Sequence, residues 1–102
     1  MHKIKQTQIF ARWLSRLRDK RARTIIAAQL LRLSNGLPCD LKPVGHGVSE
    51  LRIHYGPGYR LYFRTLPESV ILLLYGGTKD TQALDIVIAK ELANHWNKEN
   101  DE

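Results

Sequence analysis

A chain of 102 residues has room for one compact domain, 1–102, and too little for a second. Its 43% apolar and 25% charged content is ordinary for a globular protein, and its single cysteine, Cys39, excludes an intrachain disulfide. The charge is not ordinary: a formal net charge of +6 and a pI near 9.8 favour nucleic acid, ribosomal or acidic protein partners.

That charge is unevenly spread. Residues 1–64 hold 13 Lys/Arg against 3 Asp/Glu, and residues 65–102 hold 3 against 7. The first residues lack the uninterrupted apolar run of a signal peptide, and no stretch reaches transmembrane length. A reducing, cytoplasmic setting is therefore expected, with no membrane partner.

Residues 2–7 alternate weakly and read as an edge strand whose lysines blunt the edge. From 8 to 19, Ile9, Phe10, Trp13, Leu14 and Leu17 recur at helical spacing, with Thr7 as N-cap. A second helix is expected from 20 or 22 to 34, burying Ala22, Ile25, Ile26, Leu30 and Leu33 and closing at Asn35-Gly36. The two would form an αα-hairpin whose arginines, Arg21 and Arg23 among them, face solvent or RNA. Residues 37–47 read as loop, with a short strand possible over 41–44. His46 has no partner at metal-ligand spacing, so no metal and no cofactor are expected.

Residues 48–64 read as two strands around Gly56-Pro57-Gly58. Period-two alternation puts Leu51 and Ile53 on one face of the first strand and Glu50, Arg52 and His54 on the other. In the second strand Tyr59, Leu61 and Phe63 share a face, opposite Arg60, Tyr62 and Arg64. If the apolar sets go together, Arg52, His54, Arg60, Tyr62 and Arg64 share one rigid, solvent-facing surface suited to a polyanion. Residues 70–75, apolar on both faces, read as a central strand ended by Gly76-Gly77. Asp80 is the expected N-cap of a last helix, docked through Leu84, Ile88, Leu92 and Trp96, and 97–102 is a polar tail. The order β-α-α-β-β-β-α implies an α+β fold, a small antiparallel sheet with two N-terminal helices and a C-terminal helix.

Ser49-Glu50-Leu51-Arg52-Ile53, Gly58-Tyr59-Arg60-Leu61-Tyr62-Phe63 and Gly76-Gly77-Thr78-Lys79-Asp80-Thr81-Gln82 with Asp85-Ile86 together resemble the RelE/ParE toxin superfamily, in particular its HigB-like "addiction module killer protein" branch. Phe10-Ala11-Arg12-Trp13-Leu14 and Lys42-Pro43-Val44-Gly45 fit that branch too, so the likeness spans residues 4–93. It implies the toxin of a type II toxin–antitoxin pair. Relatives of the RelE and HigB kinds cleave mRNA on the ribosome, and ParE-like ones inhibit DNA gyrase. The usual partner in this branch is a helix-turn-helix, HigA-like antitoxin.

Cleaving RNA without a metal requires activating a 2′-OH, stabilising a doubly charged phosphorane and protonating the leaving 5′-oxygen. By the family pattern, Arg60 is the transition-state arginine, Arg52 a basic residue for charge or proton transfer, and Lys79 a further cation. His54 suits proton transfer because imidazole exchanges a proton near neutral pH. Asp85 stands where some relatives carry an aromatic acid/base, and Glu50 where some carry a lysine. Arg64, Tyr62, Arg21 and Arg23 are the expected RNA contacts. Each has a plainer role open to it: a Glu50–Arg52 ion pair, a surface His54, Asp85 at the helix dipole, Tyr62 packed under the last helix. Two other functions remain open, a ParE-like gyrase inhibitor acting by protein binding and a non-toxic regulatory partner of the antitoxin.

Overall fold

Thr7 is where the first strand becomes the first helix. Its hydroxyl accepts the Phe10 amide at 3.0 Å and donates to the Leu74 carbonyl at 2.9 Å, so one side chain caps the helix and ties it to a strand 67 residues on. In this computed structural model, residues 1–96 are described; the tail expected over 97–102 lies outside them. The elements are β1 (Lys3–Gln6), α1 (Gln8–Arg16), α2 (Lys20–Ser34), β2 (Leu41–Gly45), β3 (Val48–Ile53), β4 (Tyr59–Leu66), β5 (Val70–Thr78) and α3 (Gln82–His95), the last entered through a 3₁₀ turn at Lys79–Thr81. The α+β fold and its two N-terminal helices and C-terminal helix are as expected. The sheet also includes the short strand β2, and its order is β1-β5-β4-β3-β2. All pairings are antiparallel except that of β1 with β5, which is parallel and joins the first strand to the last.

The helix α1 stops at Arg16 instead of continuing to 19, because Asp19 serves the next helix. Its Oδ1 accepts the Ala22 amide at 3.1 Å and caps α2. The sheet has two covered faces. On one, Phe10, Ala22, Ile26 and Leu33 of α1 and α2 meet Leu51, Ile53, Tyr59, Leu61, Phe63, Ile71 and Leu73. On the other, Ala89 and Ala93 of α3 meet Val48, Tyr62, Leu72 and Leu74. The β4–β5 register shifts between Tyr62 and Phe63, which pair with Tyr75 and Leu73, so Leu74 is an extra residue and the alternation of β5 changes phase there.

Three expectations are corrected. Gly76-Gly77 do not end the strand but lie inside β5. A Cβ on Gly76 would stand 2.4 Å from the Trp13 ring, and one on Gly77 would fall onto the Asp85 carboxylate, so the glycines make room for side chains from opposite layers. Asp80 is exposed and does not cap α3; the 3₁₀ turn leads in, with Thr81 at the cap position. Finally, α3 docks only partly through its expected face: Leu92 and Trp96 pack half-buried against the second core, as expected, but the start of the helix does not follow the stripe. Asp85, Ala89 and Ala93 are buried, while Leu84 is 62% exposed.

Candidate functional site

The hairpin register is the expected one. Arg52 stands opposite Arg60, Glu50 opposite Tyr62 and Val48 opposite Arg64, so these side chains share a sheet face. That face is not an open cationic platform, however. The first turn of α3 roofs it, and Glu50, Arg60 and Tyr62 are all buried.

Glu50 is the hub of this buried polar cluster. Its carboxylate accepts from Gln82 Nε2 at 2.8 Å, Arg52 Nε at 3.0 Å and the Tyr62 hydroxyl at 3.2 Å, with Arg60 Nε at 3.9 Å. Burial works to raise its pKa, but the hydrogen bonds from Arg52, Gln82 and Tyr62 outweigh it and hold the carboxyl below the usual range. The same burial, with the Glu50 charge beside it, pushes the Tyr62 phenol well up. A buried carboxylate is tolerable here because it accepts three hydrogen bonds, one of them from a guanidinium, with a second guanidinium at ion-pair distance.

Arg60 is 7% exposed, and its Nε has no hydrogen-bond partner. At the turn end of the hairpin, Arg60, Lys79 and His54 line one cleft of about 330 Å³ with Gly56-Pro57-Gly58. Gly56 and Gly58 have φ of 56° and 77°, a backbone that bulkier residues resist. A Cβ on Gly58 would lie 3.3 Å from Lys79 Cβ and 3.6 Å from Arg60 Nη1, so the tight turn brings backbone, ammonium stem and guanidinium together. Two cations, one of them largely desolvated, make this a site for an anion.

His54 lies just past β3, 71% exposed, with Nε2 2.5 Å from Asp40 Oδ2. The hydrogen bond from His54 pulls the Asp40 carboxyl below its ordinary range. With Nε2 committed to that carboxylate, Nδ1 is the ring nitrogen turned to other partners. Asp40 is itself fixed by pairing that runs one residue past β2, since the Arg52 amide donates to its carbonyl at 2.9 Å.

Of the five expected catalytic residues, Arg60, Lys79 and His54 meet in one cleft, and Arg52 and His54 line the adjoining cavity. Asp85 stands apart. It is buried beneath the first turn of α3, its Oδ2 accepts the Thr81 hydroxyl at 2.5 Å, and no arginine reaches it at ion-pair distance among the described residues. Burial raises its pKa, with the Thr81 hydrogen bond opposing. Of the expected RNA contacts, Tyr62 is corrected: it is fully buried with its hydroxyl on Glu50. Arg64 donates to the Ala93 carbonyl near the end of α3, and Arg23 to the Leu17 carbonyl, whereas Arg21 is exposed.

Sequence reasoning missed Asp40, Tyr55 and Gln82. Only extending the β2–β3 ladder by one residue would have brought Asp40 beside the hairpin. Among the described residues no group of three or more His, Cys, Asp or Glu side chains could hold a metal ion, and no helix is long and apolar enough to cross a membrane.

No protein-family model matches the chain. An uncharacterized protein of Haemophilus influenzae is 46% identical over 90 residues, 88% of this chain and 91% of that one. Solved structures share the fold, among them two of E. coli proteins. One is a chain in the crystal structure of the intact E. coli RelBE toxin–antitoxin complex, with a TM-score of 0.66 and 15% identity over 76% of this chain and 96% of that chain. The other is a doubly arginine-to-alanine substituted E. coli toxin RelE in the free state, with a TM-score of 0.66 and 12% identity over 93% and 98%.

Proposed function

We propose that this chain, which belongs to one family with the Haemophilus influenzae protein and has the fold of the RelE toxin, is the toxin of a type II toxin–antitoxin pair of the HigB-like kind. Its activity is ribosome-dependent mRNA cleavage, and its partners are mRNA on the ribosome and a helix-turn-helix, HigA-like antitoxin. Such an antitoxin would associate fast with so basic a partner if its own surface is acidic.

The observation that carries this reading is the cleft in which buried Arg60, exposed Lys79 and the Asp40-bound His54 converge. His54 takes the proton of the 2′-OH as that oxygen attacks phosphorus. Arg60 and Lys79 stabilise the phosphorane charge; the departing 5′-oxygen takes a proton from water, His54 returns to the solvent the proton it removed, and a 2′,3′-cyclic phosphate and a 5′-hydroxyl result. Arg52, oriented by Glu50, adds positive charge from the adjoining cavity.

Mapping mRNA 5′ ends after induction tests this. Lys79→Ala removes an exposed cation and should leave the fold intact while reducing cleavage about 100-fold. Arg60→Lys keeps the charge near Glu50 but loses the planar fork, so it should also reduce cleavage. Arg60→Ala is a poorer test, since it also strips a partner from the buried carboxylate. Intact messages during growth arrest by the wild-type chain would overturn the reading in favour of gyrase inhibition, which a supercoiling assay checks.

A further inference from the structure

We infer that the cavity between α2 and the hairpin is a second nucleotide subsite. It would take the base and sugar of the residue adjoining the scissile phosphate in a single-stranded RNA. The inference rests on the Arg60–Lys79 cleft being the phosphate site. It adds a path for the strand and a surface that reads the neighbouring base.

The cavity has a volume of about 700 Å³, within the roughly 300–1,000 Å³ typical of small-ligand pockets. His54 and Tyr55 line both it and the Arg60–Lys79 cleft, so the two spaces adjoin through an imidazole and a phenol. Tyr55 is held in place from outside the hairpin. Its hydroxyl donates to Asp19 Oδ2 at 2.9 Å, and Asp19 at the same time caps α2 through its other oxygen. A ring fixed at both its backbone and its hydroxyl is a preorganised platform, and bases stack on such rings whatever their identity.

The rest of the lining suits a nucleotide better than an apolar peptide. Arg52, with its side chain 29% exposed, offers a cation, Gln29 an amide, and Asp40 a carboxylate. Arg32 builds the far wall, its Nε and Nη2 donating to the Pro38 carbonyl at 3.2 and 2.9 Å. Asp40 disfavours a second phosphate at that spot but accepts from the exocyclic amino group of adenine, cytosine or guanine, so a base with such a group is preferred to uracil.

Cys39, the one cysteine of the chain, lines this cavity and serves as a probe. A 2′-O-methylated trinucleotide, which cannot be cleaved, is titrated into the full chain. Amide shifts are followed by NMR at Gly58 and Lys79 and at Gln29 and Cys39, together with the rate of Cys39 alkylation by iodoacetamide. The expected result is movement at both sets and slower alkylation. Tyr55→Ala should then weaken binding about tenfold, and Tyr55→Phe, which keeps the ring, much less. Shifts at Gly58 and Lys79 with Gln29, Cys39 and the alkylation rate unchanged would overturn the subsite and leave the phosphate cleft standing. Shifts at neither set would remove the phosphate cleft as well. Unchanged affinity in a Tyr55→Ala protein with wild-type circular dichroism would overturn the stacking platform.

Discussion

The two faces of the sheet are covered by helices in different ways. Under α1 and α2 the contact is apolar throughout, with Phe10, Ile26, Leu51, Leu61 and Phe63 at its centre. Under α3 the contact is apolar only toward the helix end, where Ala89 and Ala93 sit on Val48, Leu72 and Leu74. Toward the helix start it becomes Glu50, Tyr62, Arg52, Arg60 and Gln82, joined by hydrogen bonds and charge. The apolar face holds the fold through area removed from water, which needs little directional precision. The polar half needs direction: a hydrogen bond to Glu50 aims Arg52, and the same carboxylate faces Arg60 at ion-pair distance. The cleft lies at that polar end.

Substitutions sharpen this contrast. The largest effect is expected at Phe10→Ala, which empties the apolar face and should destabilise by about 3–5 kcal/mol in urea denaturation. Glu50→Gln keeps shape but removes the charge shared by Arg52 and Arg60, and should lose about 1–3 kcal/mol. It should also alter cleavage far more per unit of stability lost than Phe10→Ala does. Equal sensitivity of cleavage and stability to both changes would erase the distinction between the faces.

Gly76→Ala and Gly77→Ala should each cost about 1–3 kcal/mol by forcing Trp13 or Asp85 aside. The second should be strongly non-additive with Asp85→Ala and additive with changes at Trp13, which a double-mutant cycle reads directly.

A smaller effect depends on pH. Burial raises the Asp85 carboxyl, so the folded state holds that proton more tightly than the unfolded chain. The Asp85 contribution is therefore present below the ordinary aspartate value of 3.8 and is lost as pH rises through its raised folded value. Asp85→Asn should accordingly gain on wild type in urea midpoint between pH 3.5 and pH 7. Glu50 has the opposite sign. Its lowered carboxyl stabilises above its ordinary value of 4.5, and that stability is lost as pH falls through its folded value. The smallest change is expected at Leu84→Ser, within about 0.5 kcal/mol, because the side chain faces solvent. A large loss there would mean that α3 docks through the apolar stripe its sequence suggests.

The hairpin was legible in the sequence because a tight turn and strict alternation fix which residues share a face. The docking of α3 was legible only in part. Leu92 and Trp96 pack on the sheet as the stripe suggested, but the fully buried positions are an aspartate and two alanines, and Leu84 and Val87 face outward. Glu50 read as a solvent-facing strand residue. Its partner Gln82 is 32 positions away, and only the tertiary structure brings it overhead. Arg60 and Lys79 were named as candidates through motif likeness, and the cleft they share depends on a turn whose closeness the glycines signalled. Asp40 lay in a segment read as loop, and its link to His54 spans 14 positions with no periodic signal.

The paired glycines of β5 carry one consequence for variation in this chain. Trp13 arrives at position 76 from one side of the strand and Asp85 at position 77 from the other, each occupying the space of a missing side chain. Two neighbouring alpha carbons thus register the upper and lower helices against each other. While a carboxylate stands at 85 on this backbone, position 77 is confined to glycine, and the two can change only in concert.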